Sequence, residues 1–217
     1  MKKIIKYRLH IALAICIAFV FTSCDLEPQD KFRFNPETVP QYTFGEKTPW
    51  EWLKTNPNDE FSLMIQAVEL SDLVEEYSNK TDKRTYFLIK DEGFTKFNGI
   101  LKREFGSDTL ELTEVDPVKL RKILMYHILP QYVDQGPDNL LTLDFNYSFP
   151  TLTKDLGNPN MTINRDWNYV MQLNQDPNLG TGSKLTTDVK LHNYIFSNGN
   201  SVAHLTEGYA RVEPFED

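Results

Sequence analysis

Cysteine is nearly missing from this chain: 217 residues hold two, Cys16 and Cys24. Positive charge is also scarce, with 23 Lys and Arg against 31 Asp and Glu, a net charge of -8. That balance argues against nucleic acid and anionic lipid headgroups as partners, because both require a basic face. Long apolar runs are lacking as well. The stretch Ile11 to Phe21 is shorter than the roughly 20 residues that span a bilayer comfortably. No His-x-x-x-His or Cys-x-x-Cys spacing occurs, so nothing reads as a metal site. A Gly-x-Ser-x-Gly elbow, a P-loop and a dinucleotide glycine motif are all missing, and no cofactor is implied. Internal repeats and low-complexity tracts are absent. What remains is ordinary for a globular protein, 40% hydrophobic and 25% charged, long enough for one domain plus extras.

The first 24 residues carry the clearest pattern. Lys2, Lys3, Lys6 and Arg8 form a positive start, Ile11 to Phe21 an apolar run, and Thr22 and Ser23 a small polar step. This is the plan of a secretory signal peptide. Phe21-Thr22-Ser23-Cys24 resembles the lipobox of bacterial lipoproteins, with Phe21 where Leu is commoner. The resemblance implies cleavage before Cys24 and a lipid on its thiol, an anchor firmer than one myristoyl chain. Processing removes four positive charges and no acid, which leaves -12 from -8. It also removes Cys16, so the mature chain keeps no disulfide and no thiol nucleophile. Residues 1–23 are therefore expected to be signal peptide and 24–47 a lipidated, mostly extended tether with Pro28, Pro36 and Pro40. Residues 48–217 are expected to form the domain. The acidic start Asp25, Glu27, Asp30 resembles the signal that sends lipoproteins outside the outer membrane in some Gram-negative bacteria. In enteric bacteria, Asp after the cysteine means retention at the inner membrane instead, so the periplasmic face stays open.

Within the domain, Thr48-Pro49 and Asp116-Pro117 read as helix caps followed by a first-turn proline. Phe61, Met64, Ile65 and Val68 fall on one helical stripe. Ser71-Asp72 is expected to cap a short helix through Tyr77. Thr85 to Ile89 is β-branched and aromatic, a strand. Asp91 is expected to cap a helix whose Phe94, Phe97 and Leu101 share a face. Leu120, Ile123, Leu124, His127 and Ile128 form the buried stripe of the Asp116 helix, which Pro130 ends. After it come short apolar segments (140–143, 147–152, 161–163, 168–173, 185–196, 202–212) separated by Gly, Pro and Asn. They predict an antiparallel sheet or sandwich. Helices first and strands second make an α+β domain.

Three segments now support a family resemblance. Phe87-Leu88-Ile89-Lys90-Asp91-Glu92-Gly93-Phe94 is similar to the Phe-Ala-Pro-Thr-Asp-Glu-Ala-Phe stretch of fasciclin (FAS1) domains, matching at Phe87, Asp91, Glu92 and Phe94. Tyr126-His127 within Leu124 to Pro130 resembles the family's Tyr-His motif. Asn200-Ser201-Val202-Ala203-His204 is similar to its Asn-Gly-Val-Val-His, with Ser201 for glycine. Order and spacing also fit, over residues 48–214, as a divergent member. The resemblance implies a FAS1 fold, structural roles for His127, His204 and Asp91, and no catalytic set. The surface around the Tyr-His pair, linked to adhesion in some members, makes Tyr126 a candidate contact.

Two histidines could also indicate metal or acid–base chemistry. The stronger expectation is a buried imidazole bonded to backbone. Among the aromatics, Trp50 and Trp52 are expected to pack the domain. Trp167 and Tyr169, in Asn164-Arg165-Asp166-Trp167-Asn168-Tyr169, are candidates to stack on a sugar or peptide, with Arg165 bonding to it. Asp108-Thr109-Leu110 resembles an O-glycosylation site of some bacteria that carry surface lipoproteins. The expected partners are a membrane, through lipid on Cys24, and a surface glycan, peptide or protein, which could be an outer-membrane transporter with its lipoproteins. Two functions follow: a non-catalytic, cell-surface adhesion or binding module, or an accessory subunit of an outer-membrane TonB-dependent nutrient importer.

Overall fold

The computed structural model describes residues 41–56, 59–153, 160–176, 178, 184–212 and 215. Cys24, the signal segment and most of the spacer lie outside the described residues. Among the described residues, no helix is long and apolar enough to cross a membrane.

The chain enters as β1 (Tyr42–Thr43), inside the stretch expected to be tether. β1 pairs in parallel with β7 (Thr187–Phe196). Phe44 then stacks on Phe196 at 4.9 Å, and Tyr42 lies 4.9 Å from Tyr194. Trp52 meets Phe61, Tyr194 and Phe196 edge-on, at 5.5, 5.5 and 6.0 Å. The folded body therefore takes in residues from about 42, because ring contacts of this kind stabilise beyond the area they bury. Trp50 is half-buried under the Lys54 ammonium.

α1 (Pro49–Thr55) starts with reciprocal capping: Thr48 Oγ1 accepts from the Glu51 amide, and the Glu51 carboxylate accepts from the Thr48 amide. α2 (Ser62–Leu70) buries Met64, Ala67 and Val68, with Phe61 just before it. Ser71 and Asp72 do not cap α3 (Val74–Tyr77). Ser71 donates its hydroxyl back to the Ala67 carbonyl at 2.7 Å, and Asp72 takes φ 54° in the turn. The helix expected after Asp91 is two, α4 (Asp91–Thr95) and α5 (Ile100–Phe105). They break where Lys96 turns extended. Gly99 sits against the Phe94 and Lys96 carbonyls, where a Cβ would lie 2.6 and 2.8 Å from their oxygens. Phe97, in that break, is 74% exposed and does not share the buried face of Phe94. α6 (Pro117–Tyr126) begins at Asp116, whose carboxylate accepts from the Val118 and Lys119 amides.

The remaining strands are β2 (Arg84–Ile89), β3 (Ile128–Leu129), β4 (Tyr147–Pro150), β5 (Asn160–Arg165), β6 (Met171–Leu173) and β8 (Ser201–Thr206). They make one sheet in the order β3-β2-β8-β7-β6-β5-β4. The sheet is mixed, not purely antiparallel. β2, from the first half, runs parallel to β8 and lies between it and β3. Its residues 85–89 are all buried, as is every residue of β8. Such unbroken runs suit a central strand covered on both faces. Residues 140–143 are loop, and among the described residues after β8 only Arg211 makes a bridge, to Leu185. The Leu152 amide donates to the Ile128 carbonyl at 2.9 Å. That bond joins the chain beyond β4 to β3, so the two ends of the sheet approach closure.

Candidate functional site

His127 follows the last turn of α6 and is fully buried. Its Nε2 accepts from the Ala210 amide at 3.0 Å, so Nδ1 carries the proton and donates to the Ile123 carbonyl at 2.8 Å. Burial pushes its pKa down to about 4, against the opposing pull of the Ile123 carbonyl. His204, on β8, is also fully buried, with the opposite tautomer. Its Nδ1 accepts from the Asn193 amide at 3.3 Å, and Nε2 donates to the Val133 carbonyl at 2.9 Å. Burial pushes it down to about 3. Both rings are thus neutral and use both nitrogens on backbone. His192, 6.1 Å from His204, is also pushed down to about 4 by burial. Among the described residues, no group of three His, Cys, Asp or Glu could hold a metal ion.

Asp91 does not cap its own helix, where Lys90 holds the N-cap position. Its carboxylate reaches the start of α2 instead, accepting from the Leu63 amide at 2.8 Å, the Ser62 amide at 3.2 Å and the Ser62 hydroxyl at 2.5 Å. The first turn of a helix has free amides that such a carboxylate satisfies.

Two of the expected contact residues lie inside. Tyr126 is fully buried and offers no surface to a ligand. Its hydroxyl donates to the Asn160 carbonyl at 2.9 Å and accepts from Asn174 Nδ2 at 3.0 Å, and burial raises its pKa. Arg165 is 5% exposed. Its Nη1 donates to the Gln135 carbonyl at 2.9 Å, and its guanidinium lies 5.5 Å from the centre of the Tyr169 ring. Arg165 therefore supports the surface from below.

Trp167 and Tyr169 are exposed, 73% and 44%. They stand on the turn between β5 and β6. Asp166 shapes that turn, its Oδ1 accepting from the Asn168 and Val170 amides at 2.8 Å each. Tyr169 takes φ 62°, a strained setting for a bulky residue. Gln135 holds the turn from the neighbouring loop. Its side-chain amide donates to the Tyr169 carbonyl, and its own amide donates to Asn193 Oδ1 at 3.0 Å. A line of hydrogen bonds thus runs from His204 through Asn193 and Gln135 to Arg165 and Tyr169. Gln135 and Asn193 escaped the sequence reading. For Asn193 the one signal was the polar interruption His192-Asn193 in the apolar run 185–196, and for Gln135 there was none. The interruption marks an irregularity of β7, where Asn193 takes φ 60°.

An open groove of about 290 Å³ is lined by Lys96, Gln175, Thr187, Asp188, Lys190 and Glu207, none of them aromatic. Asp108 and Thr109 are exposed, with the Thr109 hydroxyl 2.9 Å from that of Ser107.

A model of the fasciclin domain matches residues 59–204. Among solved structures, a FAS1 domain pair from the insect cell adhesion molecule fasciclin I is similar in fold, with a TM-score of 0.52 at 13% identity. The match covers 75% of this chain and 50% of that one, so the chain spans about half the length of that structure. No curated protein sequence matches the chain.

Proposed function

The chain belongs to the fasciclin domain family, and on that premise we propose that it is an anchored binding module. Lipid on Cys24 holds it at the outer membrane, facing outward, and the domain presents the Trp167–Tyr169 turn to a partner. Fasciclin domains are commonly adhesion or binding modules without catalysis. The single observation that carries the reading is the exposed Trp167 on a turn whose base is held by buried Arg165 and Gln135. A large aromatic on a turn whose backbone is fixed by hydrogen bonds leaves little backbone freedom to be lost when it binds. Leu141 and Phe145 are also exposed, 72% and 53%. Apolar side chains there favour a protein as partner, which suits an accessory subunit of an outer-membrane importer as well as a free adhesin.

The test is recovery of partners from detergent-solubilised membranes by wild type and Trp167→Ala, with the fold of each verified by circular dichroism. Wild type is expected to retain a partner that Trp167→Ala loses by about tenfold or more, as for an interface hot spot. Equal recovery would remove this turn as the binding site. Recovery of the wild-type protein alone, at native expression, would remove the accessory-subunit reading.

A further inference from the structure

We propose that the Trp167–Tyr169 face binds a cationic partner, a protein surface or segment that offers Arg or Lys side chains. The inference rests on the binding-module reading and adds the chemistry of the partner. Four exposed apolar side chains, Leu141, Phe145, Trp167 and Tyr169, lie on two stretches of chain. The structure ties these stretches together. The Asp144 amide donates to the Arg165 carbonyl at 2.9 Å, and Asn164 Nδ2 donates to Asn146 Oδ1 at 3.2 Å.

Charge on these stretches is one-sided. Residues 131–146 and 160–170 contain Asp134, Asp138, Asp144 and Asp166, and a single cation, Arg165. That cation is buried and engaged with the Gln135 carbonyl and the Tyr169 ring. Asp138 and Asp144 are exposed. Asp134 and Asp166 each hold a turn with one oxygen, through the Gly136 amide and through the Asn168 and Val170 amides. Solvent therefore meets the Asp138 and Asp144 carboxylates on the same stretches of chain as the exposed rings. The ring faces are negative in their quadrupole, and Trp attracts a cation most strongly. An Arg or Lys head would pair with a carboxylate and a ring together, and its methylene stem would pack on Leu141 or Phe145. A neutral sugar would leave the carboxylates without partners, and an acidic polymer would be repelled.

The test uses the full, lipid-bearing chain in detergent micelles, labelled with 5-fluorotryptophan. Trp50, Trp52 and Trp167 give three fluorine resonances, assigned by Trp→Phe variants. The probes are the peptide Gly-Arg-Gly-Arg-Gly-Arg-Gly, the same peptide with Gln for Arg, and the neutral sugar maltoheptaose. The arginine peptide is expected to move the Trp167 resonance alone, saturably, and to weaken about three- to tenfold in Asp138→Asn/Asp144→Asn and at raised salt. A Trp167 resonance unmoved by the arginine peptide, moved equally by the glutamine peptide, or moved together with the other two overturns the proposal. A saturable shift with maltoheptaose alone also overturns it, yet leaves the turn a binding site. Equal partner recovery by wild type and Trp167→Ala is the separate result that sinks the binding-module reading itself.

Discussion

At the scale of single residues, the buried histidines set a pH dependence. Burial lowers the pKa of His127 to about 4 and of His204 to about 3, from 6.5 in the unfolded chain. Below pH 6.5 the unfolded chain takes up protons that the folded chain refuses. Their contribution to stability is therefore complete above pH 6.5 and is lost as pH falls toward 4. Each costs about 2 kcal/mol between pH 7.5 and 5, or about 4 kcal/mol together, with His192 acting in the same direction. Urea midpoints at these two pH values check this, because most carboxylates titrate below the window. A midpoint that does not move between them contradicts the neutral, backbone-bonded imidazoles. The polar residues around Trp167 also act in ways their type alone does not reveal. Arg165 was legible as part of an Asn-rich turn, but its inward direction depends on Gln135, thirty residues earlier and in a different loop. Tyr126 stands at the end of an amphipathic helix, where sequence does not tell a buried hydroxyl from an exposed one. Its partners, Asn160 on β5 and Asn174 just after β6, lie far along the chain.

At the scale of elements, local signals read well and reaching ones did not. Thr48-Pro49 and Asp116-Pro117 start helices because the cap and the amides it satisfies are two or three residues apart. Asp91 looks the same in sequence, yet its carboxylate caps α2, 28 and 29 residues before it. The prediction is that Asp91→Ala costs about 1–2 kcal/mol of stability, measured by urea unfolding, with Asp91→Asn losing less. A loss in Asp91→Ala no larger than that of an exposed substitution such as Asp108→Ala would contradict the cap. The same limit explains the sheet. The strand character of residues 85–89 was visible in their β-branched and aromatic run. Their parallel pairing with β8, more than a hundred residues later, was not. β1 was lost in the spacer because two residues show no period, and its stabilising rings Tyr194 and Phe196 belong to β7. The single helix expected to carry both Phe94 and Phe97 is broken where Lys96 turns extended, and in that break the Phe94 and Lys96 carbonyls occupy the space a Cβ at Gly99 would need.

For the whole molecule, the fold is that of a fasciclin domain, and its α+β order was readable from helices before strands and from three short motifs. The proposed arrangement is an anchor at one end, a short spacer, and a body whose exposed aromatics project from the β5–β6 turn. Cells grown with radiolabelled palmitate are expected to label the wild-type protein and not Cys24→Ala. Label retained by Cys24→Ala would mean that lipid is not carried on this residue. In the proposed arrangement the anchored chain meets its partner through the turn, so the most direct measurement places a photo-crosslinking amino acid at Trp167 in cells at native expression. The same amino acid at Phe97, equally exposed on the α4–α5 break, is the comparison. A discrete crosslinked partner at position 167 and none at 97 is the predicted result; no adduct at 167, or the same adducts at both positions, would contradict it.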